Sequence, residues 1–297
     1  MRPRSTKMHF RVGYLAALLM LIGVAGSCHA QATAPRWMTL PPTPAPVAGV
    51  VRKTIPVHGI NLYYVDSVKS FQDQPPVILL HGGLANTDYW GNQLRALMAG
   101  HRVIAIDSRG HGRSTRDTRP YGYDLMADDV IGLMDALHVQ RADLVGWSDG
   151  AIISLDLAMR YPGRVRRVFS FAANTQPDGL IPNGDKSPVF ARFIARAGED
   201  YHKLSSTPGQ YAAFVDQISH MWDTQPHWTD AQLASIRARV LVADGDHDEV
   251  IRRAHTEYIA RTIPGAGLLI LPNASHFAFL QDPTLFNAAV LDFLDGK

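Results

Sequence analysis

The chain is poor in cysteine, with one, Cys28, in 297 residues, which excludes a disulfide scaffold. It also lacks an excess of charge of either sign. Lys and Arg number 29 against 27 Asp and Glu, a formal charge of +2. The arginines are scattered rather than gathered into the basic stripe of a general nucleic-acid binder, so no nucleic-acid partner is expected. Disorder is excluded by 46% hydrophobic residues with only 19% charged ones. A chain of this length buries most of its apolar surface without metals or crosslinks. No apolar run reaches the roughly 20 residues that a membrane-spanning helix needs.

The apolar run that is present covers residues 12–25 and is fourteen residues long. Arg2, Arg4, Lys7 and Arg11 precede it without an acidic residue, and small residues lead from it into Cys28-His29-Ala30-Gln31. A basic head, a short apolar middle and a small-residue exit define an export signal over residues 1–30, cleaved after Ala30. Ala32 and Ala34 are alternative cleavage positions. An uncleaved anchor fits the run's length less well. Lipid attachment at Cys28 is a further alternative, weakened by Ala25 where such a site carries leucine. The expected location is periplasmic or secreted, with no membrane span left after cleavage. Removing residues 1–30 takes away four basic side chains and the only cysteine, leaving 25 basic against 27 acidic ones and a formal charge of −2. A cysteine-free mature chain suits an oxidising compartment.

Residues 31–47 form a proline-rich linker. Five of the twelve residues from 35 to 46 are proline, which predicts an extended tether rather than a packed element. The folded part then begins near Val47. Residues 50–57 and 60–66 are β-rich runs joined at His58-Gly59, the pattern of an antiparallel hairpin. Short apolar runs follow at 76–80, 102–106, 142–147, 165–171, 239–243 and 268–271, as expected of strands buried on both faces. Helical periodicity fills the intervals at 90–98, 123–137, 149–160, 250–263 and 283–294. Alternation of this kind predicts an α/β fold with an eight-stranded, mostly parallel sheet, helices on both faces, and functional groups at the carboxyl ends of strands. Residues 174–235 break the alternation with helical pieces and aromatics (Phe190, Phe193, Tyr201, Tyr211, Phe214, Trp222, Trp228). They are read as a helical cap between core segments 48–173 and 236–297. Most of these aromatics are expected to form the cap's own core.

The chemistry is concentrated at Gly146-Trp147-Ser148-Asp149-Gly150. A serine between a buried strand and a helix, with glycine two residues to either side, matches the sharp turn that exposes a nucleophile. The helix starting after Ser148 aims backbone N–H groups and its positive end at an oxyanion formed there. Serine needs a base, and the base an orienting acid. Asp244-Gly245-Asp246-His247-Asp248-Glu249 follows the seventh strand, and Asn273-Ala274-Ser275-His276-Phe277 follows the eighth. The order Ser148, Asp248, His276 fits a strand–helix architecture of this type. Asp244, Asp246 and Asp248 also alternate as in a calcium loop, but Glu249 replaces the required glycine and His255 the required glutamate, so no metal is expected.

These motifs, with His81-Gly82-Gly83-Leu84 after the third strand and Asp107-Ser108-Arg109-Gly110-His111-Gly112-Arg113-Ser114 after the fourth, resemble the α/β-hydrolase-fold serine hydrolases from about residue 50 to the C-terminus. The wording around the elbow (GWSDG), together with DSRGHGRST and Ala172-Ala173-Asn174, is similar to the valacyclovir hydrolase, or biphenyl hydrolase-like, branch. The resemblance implies Ser148 as nucleophile, His276 as general base and Asp248 as the acid, selected over Asp246 by its spacing from Gly245. The backbone N–H groups of Gly83 and Asp149 would form the oxyanion hole, with Leu84 as alternative donor. His81 and His111 are expected to hydrogen-bond within their loops. Asp149, Leu84, Trp147 and Trp222 are candidate substrate contacts. The Asp149 carboxylate either complements the helix terminus or pairs with a substrate amine, as in hydrolases of amino-acid esters. The expected activity is hydrolysis of a small carboxylic ester through an acyl-enzyme, with no cofactor. Alternatives on the same fold are lactone, amide or carbon–carbon bond hydrolysis, perhydrolysis, or a non-catalytic ligand-binding role.

Overall fold

The structure, a computed structural model, describes residues 34–69, 71 and 74–296. The predicted export signal, with Cys28 and the cleavage position after Ala30, lies outside them. Among the described residues, eight strands alternate with helices. They are β1 (Val51–Val57), β2 (Ile60–Asp66), β3 (Val77–Leu80), β4 (Val103–Ile106), β5 (Ala142–Trp147), β6 (Val165–Phe171), β7 (Arg239–Gly245) and β8 (Gly267–Leu271). They form one sheet in the order β1-β2-β4-β3-β5-β6-β7-β8. The β1–β2 and β2–β4 pairs are antiparallel, and every later pair is parallel. The expected mostly parallel eight-stranded sheet is therefore present. β3, β4 and β5 are buried along their whole length, which is why their sequences are uninterrupted apolar runs rather than alternating ones.

Helices α1 (Gly91–Leu97), α2 (Tyr123–Ala136) and α3 (Asp149–Arg160) come before the insertion. α3 buries ten consecutive residues from Asp149 to Ala158, as a helix enclosed on all sides does. Residues 174–235 contain α4 (Pro188–Leu204), α5 (Tyr211–Thr224) and α6 (Asp230–Ala234). α4 starts where Ser187 accepts the Phe190 N–H and Pro188 occupies the first turn. Its buried Phe190, Phe193, Ala197 and Tyr201 recur at three- and four-residue intervals along one face. α6 opens on a reciprocal capping box between Thr229 and Gln232. α7 (Arg253–Thr262), α8 (Ala278–Gln281) and α9 (Pro283–Asp295) complete the chain. Among the described residues no helix is long and apolar enough to cross a membrane.

Two expectations need correction. The helix expected from residue 250 starts only at Arg253, because the Val250 and Ile251 N–H groups donate to Asp248 and Ile251 forms a β-bridge with Leu180. The proline-rich segment is not a free tether: it makes a 3₁₀ turn at Arg36–Met38, runs on without regular secondary structure, and is docked on the body. Its carbonyls accept hydrogen bonds from Arg52, Arg192, Arg196 and Gln281, and Val47 is buried. Proline removes backbone donors but leaves every carbonyl needing a partner, and side chains of the body supply them.

Candidate active site

β3 and β5 are neighbours, with Leu80 opposite Gly146, so the loops leaving their carboxyl ends meet. Ser148 sits at the β5–α3 junction with φ 55° and ψ −121°, a strained backbone for a residue with a side chain. The flanking glycines are sterically required. A Cβ at Gly146 would lie 2.3 Å from the Gly150 carbonyl oxygen, and one at Gly150 2.0 Å from that of Leu80. Trp147 and Asp149 are buried to either side, while Ser148 is part-exposed.

The His81–Leu84 loop lies against this turn. A Cβ at Gly82 would approach the Ser148 Cβ to 3.0 Å, and one at Gly83 would approach Asp149 Oδ2 to 2.6 Å and the Trp222 ring to 2.4 Å. Gly83 thus adjoins the first turn of α3, where the Ala151 and Ile152 N–H groups donate to the Ser148 carbonyl at 2.8 and 3.0 Å. Leu84 follows with φ 63° and is buried. The loop is tied to the one after β4. The His81 Nε2 accepts the Ser108 N–H, and its Nδ1 pairs with the Gly82 carbonyl. His111 Nδ1 pairs with the Arg109 carbonyl. Burial lowers both imidazoles, to about 4 for His81 and about 3 for His111, so they are neutral. Asp107 accepts the Thr87 and Arg113 N–H groups, and the buried Arg109 guanidinium forks onto both oxygens of Asp129 at 2.7 Å.

Asp248 and His276 meet at the same edge of the sheet. His276 Nδ1 is 2.8 Å from Asp248 Oδ2, and both side chains are almost wholly buried. Asp248 Oδ1 accepts the N–H groups of Val250 and Ile251 at 2.7 and 2.8 Å. Burial alone would raise the Asp248 carboxyl, but His276 and these donors outweigh it and hold it below the usual range. Burial pulls His276 down, yet Asp248, Glu249 and Asp149 together leave it raised. Asp244 bonds Thr256 and the Gly245 N–H and also hydrogen-bonds the Asp248 carboxyl, while Asp246 bonds His247 and the Ala274 N–H.

The remaining predicted residues are placed as follows. Asp149 Oδ1 accepts from the Tyr123 hydroxyl at 3.0 Å, and both its oxygens lie 2.9 Å from Trp222 Nε1 on α5. Burial pushes this carboxyl up to about 6 against the pull of those donors. Trp147, a candidate substrate contact, is buried among Tyr89, Phe193, Phe277 and Phe279, with its ring 5.8 Å from that of His276. Phe190 and Phe193 also face the body rather than a separate cap core, and the Phe190 ring is 5.8 Å from that of His276. Three residues had no motif to mark them. Glu249 Oε2 accepts the His276 N–H at 3.2 Å, Tyr123 holds Asp149, and Gln281 holds Ser275. Only the position of Tyr123 at the start of a helix, and that of Glu249 beside the acid, could have drawn attention.

A strained serine turn between strand and helix, a glycine loop beside it and an aspartate–histidine pair at the same sheet edge define an α/β hydrolase. The family model described as alpha/beta hydrolase fold matches residues 75–196. A Caulobacter protein named as carbamate hydrolase RutD is 30% identical over 251 residues, covering 76% of this chain and 92% of that protein. The human serine hydrolase BPHL is 28% identical over 258 residues, covering 82% of this chain and 87% of the relative. The crystal structure of an enol-lactonase from Burkholderia xenovorans superimposes with a TM-score of 0.65 at 25% identity, covering 82% of this chain and 99% of that one. The chain belongs to the α/β-hydrolase family, and its relatives are hydrolases.

Proposed function

We propose that the protein is an exported serine hydrolase that cleaves a small carboxylic ester through an acyl-enzyme. The carrying observation is the 2.8 Å Asp248–His276 pair at the sheet edge where Ser148 is held in its strained turn. With Nδ1–H donating to Asp248, Nε2 is the nitrogen that takes the Ser148 proton as the hydroxyl attacks the carbonyl. The N–H groups of Gly83 and Asp149 stabilise the oxyanion, His276 returns the proton to the leaving alcohol, and water repeats the cycle on the acyl-enzyme. The relatives named for carbamate and enol-lactone hydrolysis share attack at an acyl carbon, which supports this class over a non-catalytic role.

Labelling with a fluorophosphonate probe, with Ser148→Ala as control, followed by esters graded in acyl length and charge, tests the reading. Folded native protein that takes up no probe refutes it. Export is tested by fractionation and intact mass, with a mature chain beginning at Gln31 expected. A full-length chain in the cytosol refutes it.

A second reading concerns the acyl group. The hydrogen-bond partners of Asp149, Tyr123 and Trp222, are both neutral, and the cation that acts on it is His276 when protonated, so while His276 is neutral its carboxylate favours a substrate cation. An α-amino ester is then turned over faster than its des-amino analogue, and Asp149→Ala abolishes the difference. An unchanged ratio excludes amine recognition.

A further inference from the structure

The docked proline-rich segment does not lie on a random face. Arg36 Nε and Nη2 donate to the carbonyls of Asn273 and Pro272 at 3.0 and 2.8 Å, and its Nη1 pairs with Asp282. Those carbonyls lie three and four residues before His276. Gln281, five residues after it, is the counterpart. Its Oε1 accepts the Ser275 N–H at 2.8 Å, and its Nε2 lies 3.0 Å from Ser275 Oγ while reaching the Thr39 and Trp37 carbonyls at 2.8 and 3.2 Å. The Trp37 ring stacks on His247 at 4.5 Å, beside the Asp248 loop. On the other side, Arg192 and Arg196 of α4 donate to the carbonyls of Met38, Leu40 and Pro41. The same helix carries Phe190 against the His276 ring.

We infer that residues 36–41 act as a positioning strap for His276, with Arg36 and Gln281 tying the backbone that leads into the histidine, residues 272, 273 and 275, to the strap. The two side chains close a hydrogen-bonded circuit from the strap through residues 272, 273 and 275 and back. The imidazole must meet both Asp248 and the serine proton, and a misplacement of about 1 Å at a reacting group costs on the order of 10²-fold in rate. Docking alone would not require this arrangement. The carbonyls of Ala45 and Val47 are satisfied by Arg95 and Arg52 without involving the site, whereas those of residues 37–41 are bound by the groups that hold the histidine loop and α4.

The inference rests on the serine-hydrolase reading for its kinetic consequence only, and the test separates the two. In the full chain, Arg36→Ala removes the fork onto residues 272 and 273. Gln281→Glu keeps an acceptor for Ser275 but loses the donor to Trp37 and Thr39. Fluorophosphonate labelling rate, ester kcat and KM, thermal unfolding and hydrogen exchange of residues 272–278 are measured on folded protein. Both variants are expected to label about ten-fold more slowly, in line with a sub-ångström displacement. KM should stay within about two-fold of native, and exchange in 273–277 should rise. A lower unfolding temperature with native labelling rate and native kcat reduces the strap to a staple and overturns the inference. If native protein itself takes up no probe, the serine-hydrolase reading fails, and exchange alone decides. Faster exchange in both variants supports the strap, and unchanged exchange overturns it.

Discussion

Gly83→Ala subjects the proposed oxyanion hole to its most local perturbation. The added Cβ would stand 2.4 and 3.1 Å from Trp222 ring carbons and 2.6 Å from Asp149 Oδ2, whereas unstrained carbon contacts lie at about 3.5–4.0 Å. Something must therefore move by about 1 Å. The indole is fixed by its bond to Asp149 at 2.9 Å, so either α5 retreats with that bond broken or the Gly83 peptide turns away from Ser148. Crowding of this kind costs roughly 1–3 kcal/mol. Withdrawing one oxyanion donor costs about 3 kcal/mol, on the order of 10²-fold in kcat. The expected result is a loss of about 10²-fold in labelling rate and ester kcat.

Gly163→Ala is the control, since a Cβ there meets nothing within 4 Å. The double variant Gly83→Ala/Trp222→Ala removes the two ring contacts and leaves only the one with Asp149. It should recover part of the activity relative to the product of the single effects. Activity of Gly83→Ala within about three-fold of native, on a stably folded protein, would refute the placement of Gly83 at the reacting centre. A double variant with strictly multiplicative losses would refute the route through Trp222.

Further predictions concern the acids. Asp248→Asn removes the acceptor that sets the His276 tautomer and should lower kcat by about 10⁴-fold with KM little changed, as steady-state kinetics will show. His276 is faced by Asp248, Glu249 and Asp149, all of which stabilise its protonated form and leave its pKa raised despite burial. Only neutral His276 is a base, so Glu249→Gln should let it lose its proton at lower pH and move the acid limb of kcat/KM downward. A limb that stays put or rises contradicts the electrostatic role. Burial raises Asp156 from 3.8 to about 7 against the pull of Arg160. A raised folded pKa adds stability below the unfolded value that is lost as pH climbs through the folded one. Asp156→Asn should therefore gain about 2 kcal/mol relative to native between pH 5 and pH 8. Equal denaturant midpoints at the two pH values would sink this.

Much of the fold is legible because the central strands are buried on both faces. Such strands must be apolar runs, and the expected spans 142–147 and 149–160 coincide with β5 and α3. The elbow is equally legible, since backbone crowding at Gly146 and Gly150 leaves no choice of residue. Features that depend on long-range partners left no such mark. The strap's composition predicts an extended run, but residues Arg36–Met38 form a 3₁₀ turn, and the docking depends on Gln281, Arg192 and Arg196, more than 140 positions away in sequence. The late start of α7 has the same origin. The residues after 250 are helical in pattern, but the Asp248 carboxylate claims the first two N–H groups for itself.

The choice among Asp244, Asp246 and Asp248 illustrates how partners rather than spacing sort identical side chains. Asp248 receives two backbone N–H groups and an imidazole, all donors that favour the charged form, and is held ionised although buried. Asp244 is equally buried but has one hydroxyl and one amide as donors and lies beside the Asp248 charge, which with burial drives its carboxyl well above the usual range. Two like charges side by side repel, and burial together with the Asp248 charge favours the protonated form at Asp244. Exchanging the pair's chemistry tests this directly. If Asp244 carries the proton of the pair, Asp244→Asn is a neutral isosteric replacement and should retain activity within about ten-fold at neutral pH, whereas Asp248→Asn should not. If Asp244→Asn were as damaging as Asp248→Asn, the proton would have to be placed differently, and the assignment of Asp248 as the charged partner of His276 would fall with it.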